Sequence, residues 1–241
     1  MPNEKAPLLE INNLSFSYGS VSVLFDISLK VYESQVVSLL GANGAGKSTL
    51  LKVISGCFNS QKGEIIYDGS LISNLLPMKI VQKGISFIPE GRQFFRELTV
   101  EDNLQLGTYI HRSKSKVELN AAYEEMYDYF PILKERRKQI AGTLSGGQQQ
   151  MLCIACGLLS KPRLLLIDEP SLGLAPKIIS EVWKILFRLK EKGLTILLIE
   201  QNAKLATDIS DYIYILKHGS FTAQGTSGYL CDTDLIKESY F

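Results

Sequence analysis

The chain of 241 residues lacks most of the features that sort a protein at a glance. No apolar run approaches the ~18 residues of a membrane span. The longest candidates, residues 164–167 and 196–199, have strand length and end in acids. The first nine residues carry Glu4 and Lys5 and no apolar signal-peptide core, so a cytosolic location is expected. Lys and Arg number 26 against 25 Asp and Glu, a net charge of +1, so no global field draws nucleic acid or an anionic membrane. The cluster Arg136, Arg137 and Lys138 is too short for a nucleic-acid tract and reads as a solvated face. Cysteine is scarce, at Cys57, Cys153, Cys156 and Cys231. Cys153 and Cys156 have the C-x-x-C spacing of metal and redox sites, but no second pair or nearby His joins them, and their apolar helical setting favours small buried residues. Internal repeats, low-complexity tracts and obvious linkers are absent too. The remainder, 45% hydrophobic and 21% charged residues, is an ordinary globular composition.

Glycine, by contrast, is concentrated where it matters. Gly41, Ala42, Asn43, Gly44, Ala45, Gly46, Lys47, Ser48 and Thr49 have the Gly-x4-Gly-Lys-Ser spacing of a phosphate-binding P-loop. Glycines let the backbone curl close to phosphate oxygens and turn several N–H groups inward. Lys47 can then reach the β- and γ-phosphates, and the Ser48 hydroxyl can ligate Mg²⁺. A buried strand at residues 35–40 precedes the loop, and Leu50, Leu51, Val53 and Ile54 follow at helical spacing, so a helix N-terminus points at the anion. This loop alone leaves kinase, GTPase and ATPase open.

Along the chain, residues 8–14 and 21–31 have strand character and suggest an antiparallel part ahead of the P-loop strand. Tyr18 lies between them and could stack on a base or pack a strand end. Further strands are expected at residues 63–67 and 85–88, with a short helix near residues 77–83. Helix then dominates: residues 100–110, 116–130 and the charged stretch 134–138. From Arg163 the βαβ rhythm returns, with strands at 164–167 and 195–199, helices at 176–192 and 203–209, and a hairpin over 211–224 turning at His218 and Gly219. The expected fold is α/β: a P-loop NTPase core with a mainly parallel sheet, an N-terminal antiparallel β part and an inserted helical subdomain. The core lobe takes about residues 1–90 and 160–241, and the helical subdomain about 91–159.

Two further constellations carry chemistry. The strand at 164–167 runs into Asp168 and Glu169, and an acid at the carboxyl end of a parallel strand lies in the crevice where open α/β sheets bind ligands. Asp168 suits Mg²⁺ opposite Ser48, and Glu169 suits the acceptance of a proton from water. Ser145, Gly146, Gly147 and Gln148 open an apolar helix expected over 149–159 and leave N–H groups bare, so they form a second candidate anion site. A helix cap alone needs neither both glycines nor the Gln.

From about Leu8 to Gly225 these motifs resemble the ATP-binding cassette family. Gly41 through Ser48 is similar to its Walker A loop, Leu144 through Gln148 to its signature, Leu164 through Glu169 to its Walker B strand, and Tyr18 to its base-stacking aromatic. The resemblance implies ATP and Mg²⁺ as cofactors and a dimer with a second ATPase subunit, in which each ATP lies between one Walker A loop and the other subunit's signature. It also implies two integral-membrane permease subunits, indirect dependence on an extracytoplasmic substrate-binding protein, and a place on the cytoplasmic face of the membrane.

Departures from the family pattern narrow the resemblance. Pro89, Glu90, Gly91 and Arg92 stand where a Gln is usual, Gln201 stands at a switch His, Ala175 at an Asp, and Cys156 at an Arg. With Phe95 and residues 98–104, this wording is similar to the ATPase subunits of branched-chain amino acid importers; subunits of urea or short-chain amide importers are close cousins, and a soluble non-transport cassette is the alternative outside transport. Gln201 can donate to the γ-phosphate but cannot serve as a base. Glu90 can approach Mg²⁺ or the lytic water if metal or Arg92 offsets its charge. Phe94 and Phe95 belong to an expected permease-coupling surface over residues 92–107.

Overall fold

The computed structural model describes residues 6–111 and 114–231; Glu4, Lys5 and the stretch 232–241 lie outside the described residues. In chain order the first part is β1 (Leu9–Tyr18), β2 (Val21–Val31), β3 (Val36–Leu40), α1 (Lys47–Ile54), β4 (Lys62–Tyr67), β5 (Ser70–Leu71), α2 (Pro77–Gln82) and β6 (Ile85–Ile88). A helical stretch follows, with α3 (Val100–Gly107), α4 (Lys116–Tyr129), α5 (Pro131–Glu135) and α6 (Gly146–Leu159). The chain then closes with β7 (Leu164–Asp168), α7 (Pro176–Glu191), β8 (Thr195–Ile199), α8 (Ala203–Ile209), β9 (Tyr212–Lys217), β10 (Ser220–Thr226) and α9 (Ser227–Cys231).

Two sheets result. β2, β1, β4 and β5 lie side by side in an antiparallel sheet, and β10, β9, β3, β8, β7 and β6 form the second sheet in that order. Within the second, only the β9–β10 hairpin is antiparallel. Strands of such a sheet are covered on both faces and therefore read as unbroken apolar runs. The alternation is still visible in what each side chain touches. Leu165, Ile167, Ile196 and Leu198 join the helices α3 to α7 in one core, whereas Leu164, Leu166, Leu197 and Ile199 join α1 and the antiparallel sheet in another. Each such buried Leu or Ile is worth roughly 1.5–3 kcal/mol relative to exposure. The inserted helices thus stand on one face of the sheet and the P-loop helix on the other.

Several element ends differ from the sequence pattern, each for a local reason. β1 continues through Phe16 and Tyr18 because the period-two burial of Leu14 and Phe16 carries on past Leu14. The expected helix 100–110 stops at Gly107, where an added Cβ would stand 2.9 Å from the Cys156 carbonyl; a single 3-10 turn, Tyr109–His111, follows. The charged stretch 134–138 is helical only to Glu135, since the carbonyls of Arg137 and Gln139 accept the N–H groups of Glu101 and Val100 that open α3. At the far end of the inserted segment, Arg163 is fixed. Its N–H donates to the Gly84 carbonyl at 2.8 Å, and its guanidinium meets Asp68 at 2.7 Å and Glu33 at 3.1 Å.

Candidate active site

The loop between β3 and α1 is shaped by its glycines. Gly41 has φ 151, and a Cβ there would sit 2.1 Å from the Leu216 carbonyl oxygen of β9, so no side chain fits. Gly46 ends the loop in a left-handed conformation, φ 106, and hands the chain to α1. Lys47, the first residue of that helix, is only 4% exposed. Its Nζ donates to the carbonyls of Gly41 at 2.8 Å and Ala42 at 3.0 Å and stands 3.9 Å from Glu169 Oε1. Burial pulls its pKa down, against the nearby charges of Glu169, Asp168, Glu200 and Glu90, which push it up.

β7 delivers the acids. Asp168 is paired in register with Ile199 of β8 and is 2% exposed, and neither carboxylate oxygen has a hydrogen-bond partner among the described residues. Burial pushes its pKa up to about 6; the Ser48 hydroxyl counters this, and Glu169 and Glu90 reinforce it. Ser48 is close enough to influence the carboxyl while falling short of a hydrogen bond of ordinary geometry. Glu169 takes a left-handed φ of 48 and donates its N–H to the Ile199 carbonyl at 3.0 Å. That turn swings its side chain to Gln201, whose Nε2 donates to Glu169 Oε2 at 2.6 Å. Lys47, Glu169 and Gln201, read separately in the sequence, are one connected group.

Glu200 is the residue that sequence reasoning passed over. It is 1% exposed and accepts from the N–H groups of Ser171 at 3.2 Å, Gln201 at 3.0 Å and Asn202 at 3.1 Å. Burial pushes its pKa up while these bonds hold it down. Its carboxylate fastens the loop after β8, which carries Gln201, to the loop after β7. An acid directly before the switch position was the available signal.

Glu90 sits just beyond β6 and lines a pocket of about 280 Å³ together with Arg92, Arg96, Gln149, Glu169 and Gly173. Arg92 does not face Glu90 as an ion-pair partner; its guanidinium goes to the carbonyls of Leu172 and Gly173. Tyr18 ends β1 as a residue 44% exposed, its ring set edge-on to Phe16 and Phe58 and its hydroxyl 3.3 Å from Thr49 Oγ1.

Ser145, Gly146, Gly147 and Gln148 begin α6, three residues earlier in the helix than the apolar pattern predicts. Ser145 and Gln148 form a reciprocal capping box: Ser145 Oγ accepts from the Gln148 N–H, and Gln148 Oε1 accepts from the Ser145 N–H at 3.0 Å. Such a box satisfies two orphan donors of the first turn. Both glycines also have reasons within the chain. A Cβ on Gly147 would lie 2.5 Å from Ile178 Cγ2, and one on Gly146 would lie 2.7 Å from Arg92 Nη1. The Gln and the glycines therefore serve the fold here, whatever else they serve. Ala175 is the uncapped N-cap of α7, followed by Pro176.

The cysteines of α6 are held as thiols. Burial pushes both thiols up to about 12, and their Sγ atoms lie 3.8 Å (Cys153) and 3.4 Å (Cys156) from the carbonyls of Gln93 and Asn103. The close crossing with Gly107 is made by the Cys156 backbone and does not account for the Cys side chain. Among the described residues no His, Cys, Asp and Glu cluster could by itself hold a metal ion. His111 bonds the Ser160 carbonyl at 3.0 Å and His218 forms the β9–β10 turn, so neither belongs to the group around Lys47.

A P-loop whose lysine is joined to a strand-end carboxylate, on a mixed sheet with inserted helices, defines a nucleotide-hydrolysing cassette. The family described as ABC transporter matches residues 24–172. The chain belongs to that family and is a nucleotide-binding ATPase. It is similar over 97% of its length, at 41% identity, to the high-affinity branched-chain amino acid transport ATP-binding protein BraG of Pseudomonas aeruginosa, 99% of which is covered. At 35% identity, 96% of the chain matches 97% of the probable branched-chain amino acid transport ATP-binding protein LivF of Archaeoglobus fulgidus. A crystal structure of a nucleotide-free ATP-binding cassette from an ABC transporter superposes with TM-score 0.86 at 25% identity, over 98% of this chain and 99% of that one.

Proposed function

We propose that the chain is the ATP-hydrolysing subunit of an importer that takes up branched-chain amino acids through separate membrane permeases. Full-length likeness to BraG supports the substrate class. The joined group of Lys47, Glu169 and Gln201 beside the buried Asp168 carries the chemistry.

The loop from Gly41 to Thr49 holds the phosphates, with Lys47 exchanging the Gly41 and Ala42 carbonyls for phosphate oxygens, and Tyr18 presents its open ring to the base. Asp168 and Ser48 fit Mg²⁺. Two carboxylate oxygens without a partner among the described residues and a neighbouring hydroxyl are the hard oxygen donors this cation prefers, and Glu90, whose charge acts on Asp168 and Lys47, is the candidate to add one. A cation held there would supply charge neutralisation to the phosphates. Glu169 takes the proton of the attacking water, and Gln201 orients that carboxylate through its amide and then turns the same donor to the γ-phosphate. Ser145, Gly146, Gly147 and Gln148 expose a helix N-terminus that completes the site of a partner cassette, in a homo- or heterodimer.

No helix among the described residues is long and apolar enough to cross a membrane. In the proposed importer the permeases form the membrane path, and this subunit docks on their cytoplasmic side. The deciding experiment is reconstitution with permeases and a binding protein of a branched-chain amino acid importer from the same source. ATP-dependent uptake of leucine, isoleucine or valine supports the proposal. Uptake of urea or short amides in their place overturns it.

A further inference from the structure

Arg92 does something its charge alone does not explain. Its Nη2 donates to the Leu172 carbonyl at 3.2 Å and the Gly173 carbonyl at 3.4 Å. The same guanidinium covers Gly146, where an added Cβ would lie 2.7 Å from Nη1 and 3.3 Å from Cζ. Three stretches far apart in sequence meet on one side chain: the loop leaving β6, the first residue of α6 and the turn after β7. That turn is opened by Glu169, whose carbonyl accepts the Leu172 N–H at 3.1 Å. The backbone is bent to make the meeting. Gly91 has φ 89 and Arg92 φ 52, a region that residues with a side chain adopt only when their surroundings hold them there.

We infer that Arg92 is a positioning residue that joins the loop bearing Glu90, the N-terminus of α6 and the turn carrying Glu169 into one unit. The inference rests on the function proposed above, in which Glu90 and Glu169 face one ATP and Ser145 to Gly147 face the ATP of the partner cassette. One guanidinium then links the γ-phosphate side of a subunit's own site to the edge it offers the other site. Lysine is no equivalent: an ammonium can donate to two carbonyls, as Lys47 does, but it has no second nitrogen and no planar carbon to cover Gly146 while its donor holds Leu172 and Gly173.

The full-length chain is compared with Arg92→Ala and Arg92→Lys, each checked for native circular dichroism, by hydrogen-exchange mass spectrometry without nucleotide and by steady-state ATPase assay. Both variants should speed exchange of residues 89–99 and 171–175 about tenfold while leaving residues 41–49 unchanged. Both should lower kcat about tenfold with KM for MgATP held within about twofold. Wild-type exchange and kcat in Arg92→Lys would reduce Arg92 to a neutraliser of Glu90 and overturn the inference, as would unchanged exchange in Arg92→Ala. Undiminished turnover in Glu169→Gln would instead sink the site assignment beneath it, and the exchange data, which need no turnover, judge the clamp separately.

Discussion

Gln201 Nε2 lies 2.6 Å from Glu169 Oε2, and Lys47 Nζ lies 3.9 Å from the other oxygen of the same carboxylate. The proposed base is therefore held between an amide and an ammonium before any nucleotide arrives. An amide fixes a carboxylate without competing for its proton. Glu169→Gln should lower kcat on the order of 10²–10⁴-fold with ATP affinity retained. Gln201→His should add an ionisation near neutral pH to the kcat profile, because a carboxylate neighbour raises an imidazole pKa from about 6.5. Pre-steady-state phosphate release from pH 5.5 to 8.5 measures both; a flat profile for Gln201→His would remove the contact from the mechanism.

Asp168 keeps its proton to about pH 6 in the folded chain, against an ordinary 3.8. Between those values the folded state binds more protons than the unfolded one, so the group's contribution to stability falls as pH rises through the window and is lost above it. Asp168→Asn should stabilise the nucleotide-free chain at pH 8 by on the order of 1–3 kcal/mol, with a smaller gain at pH 4.5. Urea denaturation at the two pH values tests the sign. The same ionisation predicts that Mg²⁺-dependent ATP binding weakens as pH drops below about 6, since the carboxyl must shed its proton to take a cation.

Tyr18 touches Thr49 through its hydroxyl and offers its ring to solvent. Tyr18→Phe should leave ATP affinity within about twofold, whereas Tyr18→Ala should cost roughly 1–3 kcal/mol. Titration with inorganic tripolyphosphate, which has no base to stack, should give equal affinities for all three proteins. A loss there as well would mark Tyr18 as a support for the P-loop alone.

The two aromatics assigned together to a coupling surface part company in the structure. Phe95 is 62% exposed, while Phe94 packs against the core shared by α3 to α7. Phe95→Asp should leave stability within about 0.5 kcal/mol and spare ATP binding, yet abolish association with the permease in pull-down. Phe94→Asp should cost about 1–3 kcal/mol, through lost packing of a half-buried ring and a carboxylate set against the apolar core. Equal destabilisation by both would mean that neither belongs to a docking face.

What the sequence disclosed followed from how local each signal is. The P-loop and the strand ending in Asp168 and Glu169 declare themselves by spacing, because tight turns and buried parallel strands restrict residue type one position at a time. Partnerships across the chain were not legible. Gln148 looked like a ligand-facing residue and closes a capping box; Arg92 looked like a partner for Glu90 and reaches Leu172 and Gly173. Glu200 reads as one acid among many until three N–H groups are seen converging on it. Helix ends were misjudged where Gly107 meets Cys156 and where Arg137 and Gln139 lend their carbonyls to α3. Both are tertiary contacts that no periodicity contains.

Arg163 gives the inserted helices an anatomy of motion. They leave the sheet at the top of β6 and re-enter at the foot of its parallel neighbour β7, so the excursion is one oversized crossover footed at opposite ends of two adjacent strands. The lower foot is bolted by Arg163 to Gly84, Asp68 and Glu33. The upper foot stands on Glu90, Gly91 and Arg92, beside the proposed γ-phosphate position. Both feet are thus fastened, the lower by Arg163 and the upper by Arg92 to the turn after β7, and only release of the Arg92 contacts would free the nucleotide end to move.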